Sequence, residues 1–123
     1  MVEWNAAQFD GQNYISLETF RKSGLGVKTP VWFARHDDVL YVYTEADSGK
    51  VKRIRNNSRV RVAVCNMRGD VKGPWLDATA SIIEGEERRA ADRLLDRKYF
   101  LKRISNVFLK FRPHERAYIK IVA

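Results

Sequence analysis

The chain has 123 residues, 45% hydrophobic and 31% charged, with a formal net charge of +8. This balance predicts one globular domain over residues 1–123 and excludes a disordered chain. No apolar run approaches the roughly 20 residues that span a bilayer, and the first residues lack a secretory signal pattern. The single cysteine, Cys65, excludes an internal disulfide, so we expect a cytoplasmic protein and no membrane partner.

Six strands are predicted, because apolar and polar residues alternate in six short segments. Pro30 lies within the second of them and has no N–H, so we expect an edge or a bulge there, where a ligand can approach the backbone. The turns before and after this strand are predicted at 23–26 and 36–38. The predicted strands are 14–20, 27–34, 39–44, 59–66, 75–84 and 116–122.

A short helix is predicted at 50–57, directly after the third strand. The residues 47–49 before it offer an N-cap, and Val51 and Ile54, three apart, form a minimal buried face.

A longer helix is predicted over most of 85–111, before the last strand. We expect Ala90, Leu94 and Leu95 on its apolar side, with the basic residues opposite. Six strands with helices in these two places predict a mainly β fold, a closed or partly open barrel.

The positive charge falls into two zones, 50–61 and 88–116. The second has ten Lys and Arg against three acids, and Tyr99, Phe100 and Phe108 lie between its charges, which is compatible with nucleic-acid binding. These aromatics occur at helical spacing, which favours a role in the core. A solvated basic face is therefore the preferred interpretation, and we do not expect a nucleic-acid partner.

Metal and nucleophile chemistry find little support in the sequence. His36, His114 and Cys65 are too few and too scattered for a metal site, so none is expected. His36 is interpreted as a solvated turn residue and Cys65 as a small core residue.

The segment 43–50 is the strongest candidate site. A strand ends there and a helix begins, and the free N–H groups and dipole of a helix start favour an anion. Gly49 leaves room for a ligand, Ser48 adds a hydroxyl donor, Lys50 adds a charge, and Arg53 lies one turn further on. A plain capped helix with a solvated basic face is the alternative interpretation.

The strand 28–33 supplies a second cation, Lys28, and two aromatic rings, Trp32 and Phe33. Because side chains alternate along a strand, only one of the two rings need face a ligand. A cofactor with a flat ring and an anionic tail would use both this strand and the helix start.

Three segments, 14–21, 27–33 and 43–60, carry a pattern that occurs in one known family. The chain resembles the pyridoxamine 5'-phosphate oxidase-like split β-barrel proteins that bind flavin or deazaflavin. It looks closest to their short branch of deazaflavin (coenzyme F420)-dependent enzymes. Order and spacing hold from Tyr14 through Glu84, and the later helix and last strand fit loosely.

The resemblance implies a homodimer with FMN or coenzyme F420 in clefts between the subunits. The second strand would lie along the cofactor, and the helix start would hold its phosphate or ribityl part. Trp75 would border the ring or the substrate. The implied cofactor-binding residues are Lys28, Thr29, Pro30, Val31, Trp32, Phe33, Tyr43, Thr44, Ser48, Gly49, Lys50 and Arg53.

The implied activity is hydride transfer between the bound cofactor and an unidentified small molecule, with no side chain assigned as a catalytic acid or base. The chain lacks the later tryptophan and arginine segment of relatives that oxidise pyridoxamine phosphate, so vitamin B6 oxidation is not expected. Oxidase-type relatives often carry arginine where this chain has Gly49, which leaves FMN and F420 as alternatives. A non-catalytic cofactor carrier or sensor also remains open.

Overall fold

The computed structural model describes residue 4, residues 6–99 and residues 116–123. Six strands and two helices follow a short 3₁₀ turn at Ala6–Phe9. The strands are β1 (Tyr14–Phe20), β2 (Gly26–His36), β3 (Val39–Glu45), β4 (Arg59–Cys65), β5 (Leu76–Ile83) and β6 (Arg116–Val122), and the helices are α1 (Gly49–Asn56) and α2 (Gly85–Lys98).

The strands close into an antiparallel barrel in the order β1-β2-β3-β6-β5-β4, and β4 pairs with β1. The last strand, β6, therefore lies between β3 and β5. This is the mainly β, six-stranded split barrel that the sequence predicts, with α1 after the third strand and α2 before the sixth.

The main core fills the barrel with inward-facing side chains from all six strands. Alternation along β4 places Val60, Val62 and Val64 in this core, as predicted. The helix α1 closes one end of the barrel by inserting Ile54 into the same cluster. Cys65 is a buried free thiol at the end of β4, in agreement with its interpretation as a core residue.

A second core lies outside the barrel, where α2 packs on β2, β3 and β6. Ala91 and Leu95 are the buried residues of the helix, and Leu94 is partly buried. The prediction for Ala90 is wrong, because it is exposed while Ala91 faces the sheet. The predicted helical stretch beyond Tyr99, with Phe100 and Phe108, lies outside the described residues.

None of the helices in the described residues is both long and apolar enough to cross a membrane.

Candidate cofactor-binding site

An opening separates β2 from β3 at one end of the barrel. The ladder between them stops at the pair Phe33–Val42, although both strands continue. Beyond that pair, Gly26–Trp32 is laddered to β1, and Tyr43–Glu45 is laddered to β6. The facing edges of β2 and β3 thus carry backbone N–H and C=O groups that belong to no ladder between described strands. Such groups are normally satisfied by hydrogen bonds. Pro30 lies in this one-sided part of β2, as its missing N–H predicts.

The start of α1 lies just beyond the end of β3, beside this opening. Ser48 is the N-cap residue, with φ −68° and ψ 156°, but its side chain makes no capping hydrogen bond. Its Oγ is buried without a hydrogen-bond partner among the described residues. An ordinary capped helix would use this hydroxyl on its own N–H groups. In this structure the hydroxyl makes no such bond and stays buried.

Thr29 presents a second buried hydroxyl without a described partner. It lies opposite Leu17 in the β1–β2 ladder and therefore shares the inward face of the sheet. Because β2 and β3 are antiparallel, the beginning of β2 and the end of β3 lie at the same end of the barrel. Thr29 and Ser48 consequently flank the opening from its two sides.

Arg53 adds a partly buried cation over the first turn of α1. A Cβ on Gly49 would lie 2.6 Å from its Nη1, so the missing side chain at this position makes room for the guanidinium. Arg53 Nε donates to Thr19 Oγ1 at 2.6 Å, which fixes its direction. Burial lowers the pKa of Arg53, and the charge of Arg21 lowers it further. Two cations near each other favour an anion between or beside them.

Lys28 and Trp75 come together on the outer face of the barrel. The Lys28 Nζ lies 5.1 Å from the centre of the indole, and the Arg61 guanidinium carbon lies 5.0 Å from it. Arg61 is paired with Glu18 at 3.1 Å, and the Glu18 side chain is only 8% exposed. Glu18 faces both cations across its two ladders. The predicted border residue Trp75 is therefore a contact of the predicted cofactor residue Lys28.

The two rings of β2 point in opposite directions. Phe33 is fully buried in the barrel core, next to Val31, and offers no ring surface to a ligand. Trp32 lies outside and stacks on Tyr99, with ring centres 4.8 Å apart and planes 13° apart. The Phe33 N–H donates to the Tyr99 hydroxyl at 3.2 Å, and that hydroxyl lies 2.6 Å from the Phe33 carbonyl. Burial raises the pKa of Tyr99, so the phenol stays neutral.

On the opposite edge, Tyr43 is supported by a buried arginine. The Arg116 guanidinium lies 4.7 Å from the centre of the Tyr43 ring and is only 6% exposed. Arg116 Nη1 is 3.5 Å from Asp92 Oδ1, and the Tyr118 hydroxyl donates to the same carboxylate. Thr44 is also buried, one residue before the end of β3.

The structure thus brings most of the predicted residues to the two edges of one opening, with Lys28 and Trp75 on the outer face beside it. The side chains of Phe33 and Val31 lie in the core, so only the backbone groups of these two residues could contact a ligand. Sequence reasoning missed Glu18, Arg61 and Arg116, whose positions depend on ladders between distant strands. The sequence did contain a signal for Arg21, which lies in the turn between β1 and β2. That turn must lie at the same end of the barrel as the start of the predicted helix.

The described residues contain no group of three or more His, Cys, Asp or Glu side chains that could hold a metal ion.

The comparisons with known proteins identify the family. The model of the pyridoxamine 5'-phosphate oxidase family matches residues 2–121. No curated protein matches the sequence.

Solved structures share the fold. General stress protein 26 from Bacillus anthracis strain Sterne is 27% identical, with a TM-score of 0.65, and the match covers 92% of this chain and 81% of that one. The heme storage protein HutZ from Vibrio cholerae is 13% identical, with a TM-score of 0.71 and coverage of 94% and 85%. A Listeria innocua protein, provisionally named a pyridoxamine 5'-phosphate oxidase, is 17% identical, with a TM-score of 0.69 and coverage of 94% and 87%.

The family match over almost the whole sequence agrees with the barrel and with the opening between β2 and β3, and the chain belongs to the pyridoxamine 5'-phosphate oxidase family.

Proposed function

We propose that this protein is an oxidoreductase that uses FMN or coenzyme F420 to transfer hydride to or from a small molecule. The observation that carries this proposal is the pair of buried hydroxyls, Ser48 and Thr29, that have no described partner on either side of the opening. A buried hydroxyl left without a partner costs about 1–3 kcal/mol. A phosphate or ribityl group in the opening would recover that free energy.

The anionic tail of the cofactor would lie at the start of α1. Lys50, in the first turn, and Arg53, over Gly49, would balance its charge, and the Ser48 hydroxyl would donate to it. The helix dipole adds to the same attraction, because its positive end points at this position.

The flat ring would lie along the one-sided edge of β2. There Trp32 is held by its stack on Tyr99, and Tyr99 also fixes the backbone of Phe33, so the wall facing a ligand is rigid. When bound, the flavin or deazaflavin would supply the hydride-transfer chemistry, and the protein would bind, orient and shield it.

We also propose a homodimer with its cofactor at the subunit boundary. The large apolar side chains of Met67 and Val71 are 69% and 43% exposed on the loop after β4. This loop approaches β2, since a Cβ at Gly69 would lie 3.7 Å from the Pro30 ring. Light scattering should give twice the chain mass, and Met67→Glu combined with Val71→Glu should give the monomer mass.

We place the protein in the cytoplasm, where Cys65 would stay reduced.

The test begins with the absorbance spectrum of the purified protein and mass spectrometry of anything released on denaturation. FMN and F420 are then titrated separately into the cofactor-free protein. Lys50→Ala should weaken the bound cofactor about 10- to 150-fold, the value of a charge-assisted hydrogen bond. Lys52→Ala is the matched control, because Lys52 is an exposed lysine on the same helix. Equal losses of cofactor affinity in both variants would mean that only general charge attraction acts at this site. Failure of both FMN and F420 to bind would reject the proposed cofactor site.

Turnover separates an enzyme from a carrier. The reduced cofactor on the protein is mixed with candidate acceptors, and its reoxidation is followed by absorbance. Reoxidation that depends on the acceptor concentration supports the oxidoreductase. Tight binding with no acceptor-dependent reoxidation supports the non-catalytic carrier or sensor.

A further inference from the structure

A groove runs between α2 and the hairpin formed by β2 and β3, away from the start of α1. It consists of two cavities of about 300 Å³ and about 230 Å³. Leu94 and Arg97 line both cavities, so the two join along one flank of the helix. Ala90 and Arg93 continue this flank, and their spacing of three and four residues places all four side chains on the same side of α2.

The groove is strongly cationic. Arg35, Arg93, Arg97 and Lys98 line it, against one carboxylate, Asp10. Four positive charges and one negative charge around a small volume favour a ligand with several negative charges.

Two of the cations are held by the protein itself. Arg35 Nη2 contacts the Asp10 carboxylate at 2.7 Å, and Nη1 donates to the Asp37 carbonyl at 2.7 Å. Lys98 Nζ donates to the carbonyls of Gln12 and Phe33 at 2.7 and 2.8 Å. These two charges therefore contribute their field from fixed positions in the wall of the first cavity.

The other two cations have no such partners. Across the part of the chain that the structure describes, the side chains of Arg93 and Arg97 make no hydrogen bond, ion pair or ring contact. The acids on the other flank of α2 are already paired, since Glu87 binds Lys120 at 2.9 Å and Asp92 binds Arg116. Two acids of α2, Glu87 and Asp92, are thus paired with β6, while two guanidinium groups of the same helix line the groove.

We propose that this groove binds a small molecule with two or more oxyanion groups, separately from the cofactor opening. Arg97, shared by both cavities, contacts the first oxyanion group together with the field of Arg35 and Lys98. Arg93 contacts a second group in the smaller cavity, and Leu94 packs against the part of the ligand between them. Arginine suits this role, because its guanidinium binds phosphate or carboxylate oxygens through two parallel hydrogen bonds.

The experiment titrates inorganic tripolyphosphate, citrate and orthophosphate into the full chain by calorimetry at low salt. Tripolyphosphate or citrate should bind, and orthophosphate should bind at least tenfold more weakly because it reaches only one of the arginines. Arg97→Gln should weaken the bound polyanion tenfold or more, and Arg93→Gln severalfold. Whether phosphate or carboxylate groups are preferred follows from the comparison of the first two probes.

Arg89→Gln is the matched control. It removes the same charge from the same helix, but the Arg89 side chain is 65% exposed and pairs with Glu86 at 3.9 Å. Equal weakening by Arg89→Gln and Arg97→Gln would overturn the groove, because only the net charge would then matter. Absence of polyanion binding to the wild type would overturn it as well.

Two further measurements distinguish the groove from the proposed cofactor site and from nucleic-acid binding. Lys50→Ala should leave polyanion binding unchanged, so the groove and the proposed cofactor site are tested independently. A 20-nucleotide single-stranded DNA that binds through Arg97 while tripolyphosphate and citrate do not would overturn the small-molecule assignment in favour of nucleic acid.

Discussion

Replacing Ser48 by alanine should change stability and cofactor affinity in opposite directions. The cofactor-free protein holds the Ser48 hydroxyl buried, without a partner among the described residues and without a capping bond. Removing the hydroxyl removes the cost of its desolvation, so the folded protein should become more stable. The same change removes a donor to the proposed phosphate, so the cofactor should bind more weakly.

The two magnitudes follow from the same hydroxyl. A buried polar group without a partner costs about 1–3 kcal/mol, and we expect Ser48→Ala to recover about 1 kcal/mol of unfolding free energy. If Ser48 were an ordinary N-cap, the substitution would instead lose about 1 kcal/mol. On the binding side, a hydrogen bond to a charged group contributes about 1.5–3 kcal/mol, or about 10- to 150-fold in dissociation constant.

The assay combines urea denaturation of the cofactor-free protein with a titration of FMN or F420. Ser58→Ala is the matched control, because Ser58 is exposed just before β4. It should leave both quantities within about 0.5 kcal/mol of the wild type. A loss of stability in Ser48→Ala together with unchanged cofactor affinity would refute the reasoning, since the hydroxyl would then be serving the helix.

Three further predictions concern the surroundings of the site. Gly49→Ala should push the Arg53 guanidinium away from Thr19 and weaken the cofactor; in an Arg53→Ala background the same change should become stabilising in urea denaturation, because alanine is the better helix former. Tyr99→Phe should lower the unfolding free energy by about 1–3 kcal/mol, measured the same way, because it removes the partner of the buried Phe33 N–H. Burial and the hydrogen bond to Asp92 raise the pKa of Tyr118 from its usual value of 10.0 to about 12. Because the pKa of Tyr118 is higher in the folded protein, its neutral phenol stabilises the fold. This part of the unfolding free energy is fully present below pH 10 and is lost as the pH rises towards 12. The expected loss is about 2–3 kcal/mol, and Tyr118→Phe should make the unfolding free energy less dependent on pH over that range.

Local patterns predicted the strands well, because alternation reports directly on which face is buried. β1 has the predicted bounds, and β4 places its valines in the core as expected. The short helix also starts within one residue of its predicted position, since a cap residue and two spaced apolar side chains mark it locally.

Contacts between distant segments could not be predicted in this way. Arg116 lies against Tyr43 only because β6 inserts beside β3, and no local pattern fixes that pairing. Tyr99 reaches the backbone of Phe33 across 66 residues. The error at Ala90 has the same origin, because the direction in which α2 packs decides whether Ala90 or Ala91 is buried.

The position of β6 also bears on how the chain folds. It comes last of the six strands in sequence, yet it separates β3 from β5 in the barrel. Until it arrives, both of those strands present an unpaired edge, which is the kind of surface on which other chains can add. We therefore expect slow, non-local closure of the barrel, with aggregation competing most strongly in the interval before the sixth strand docks.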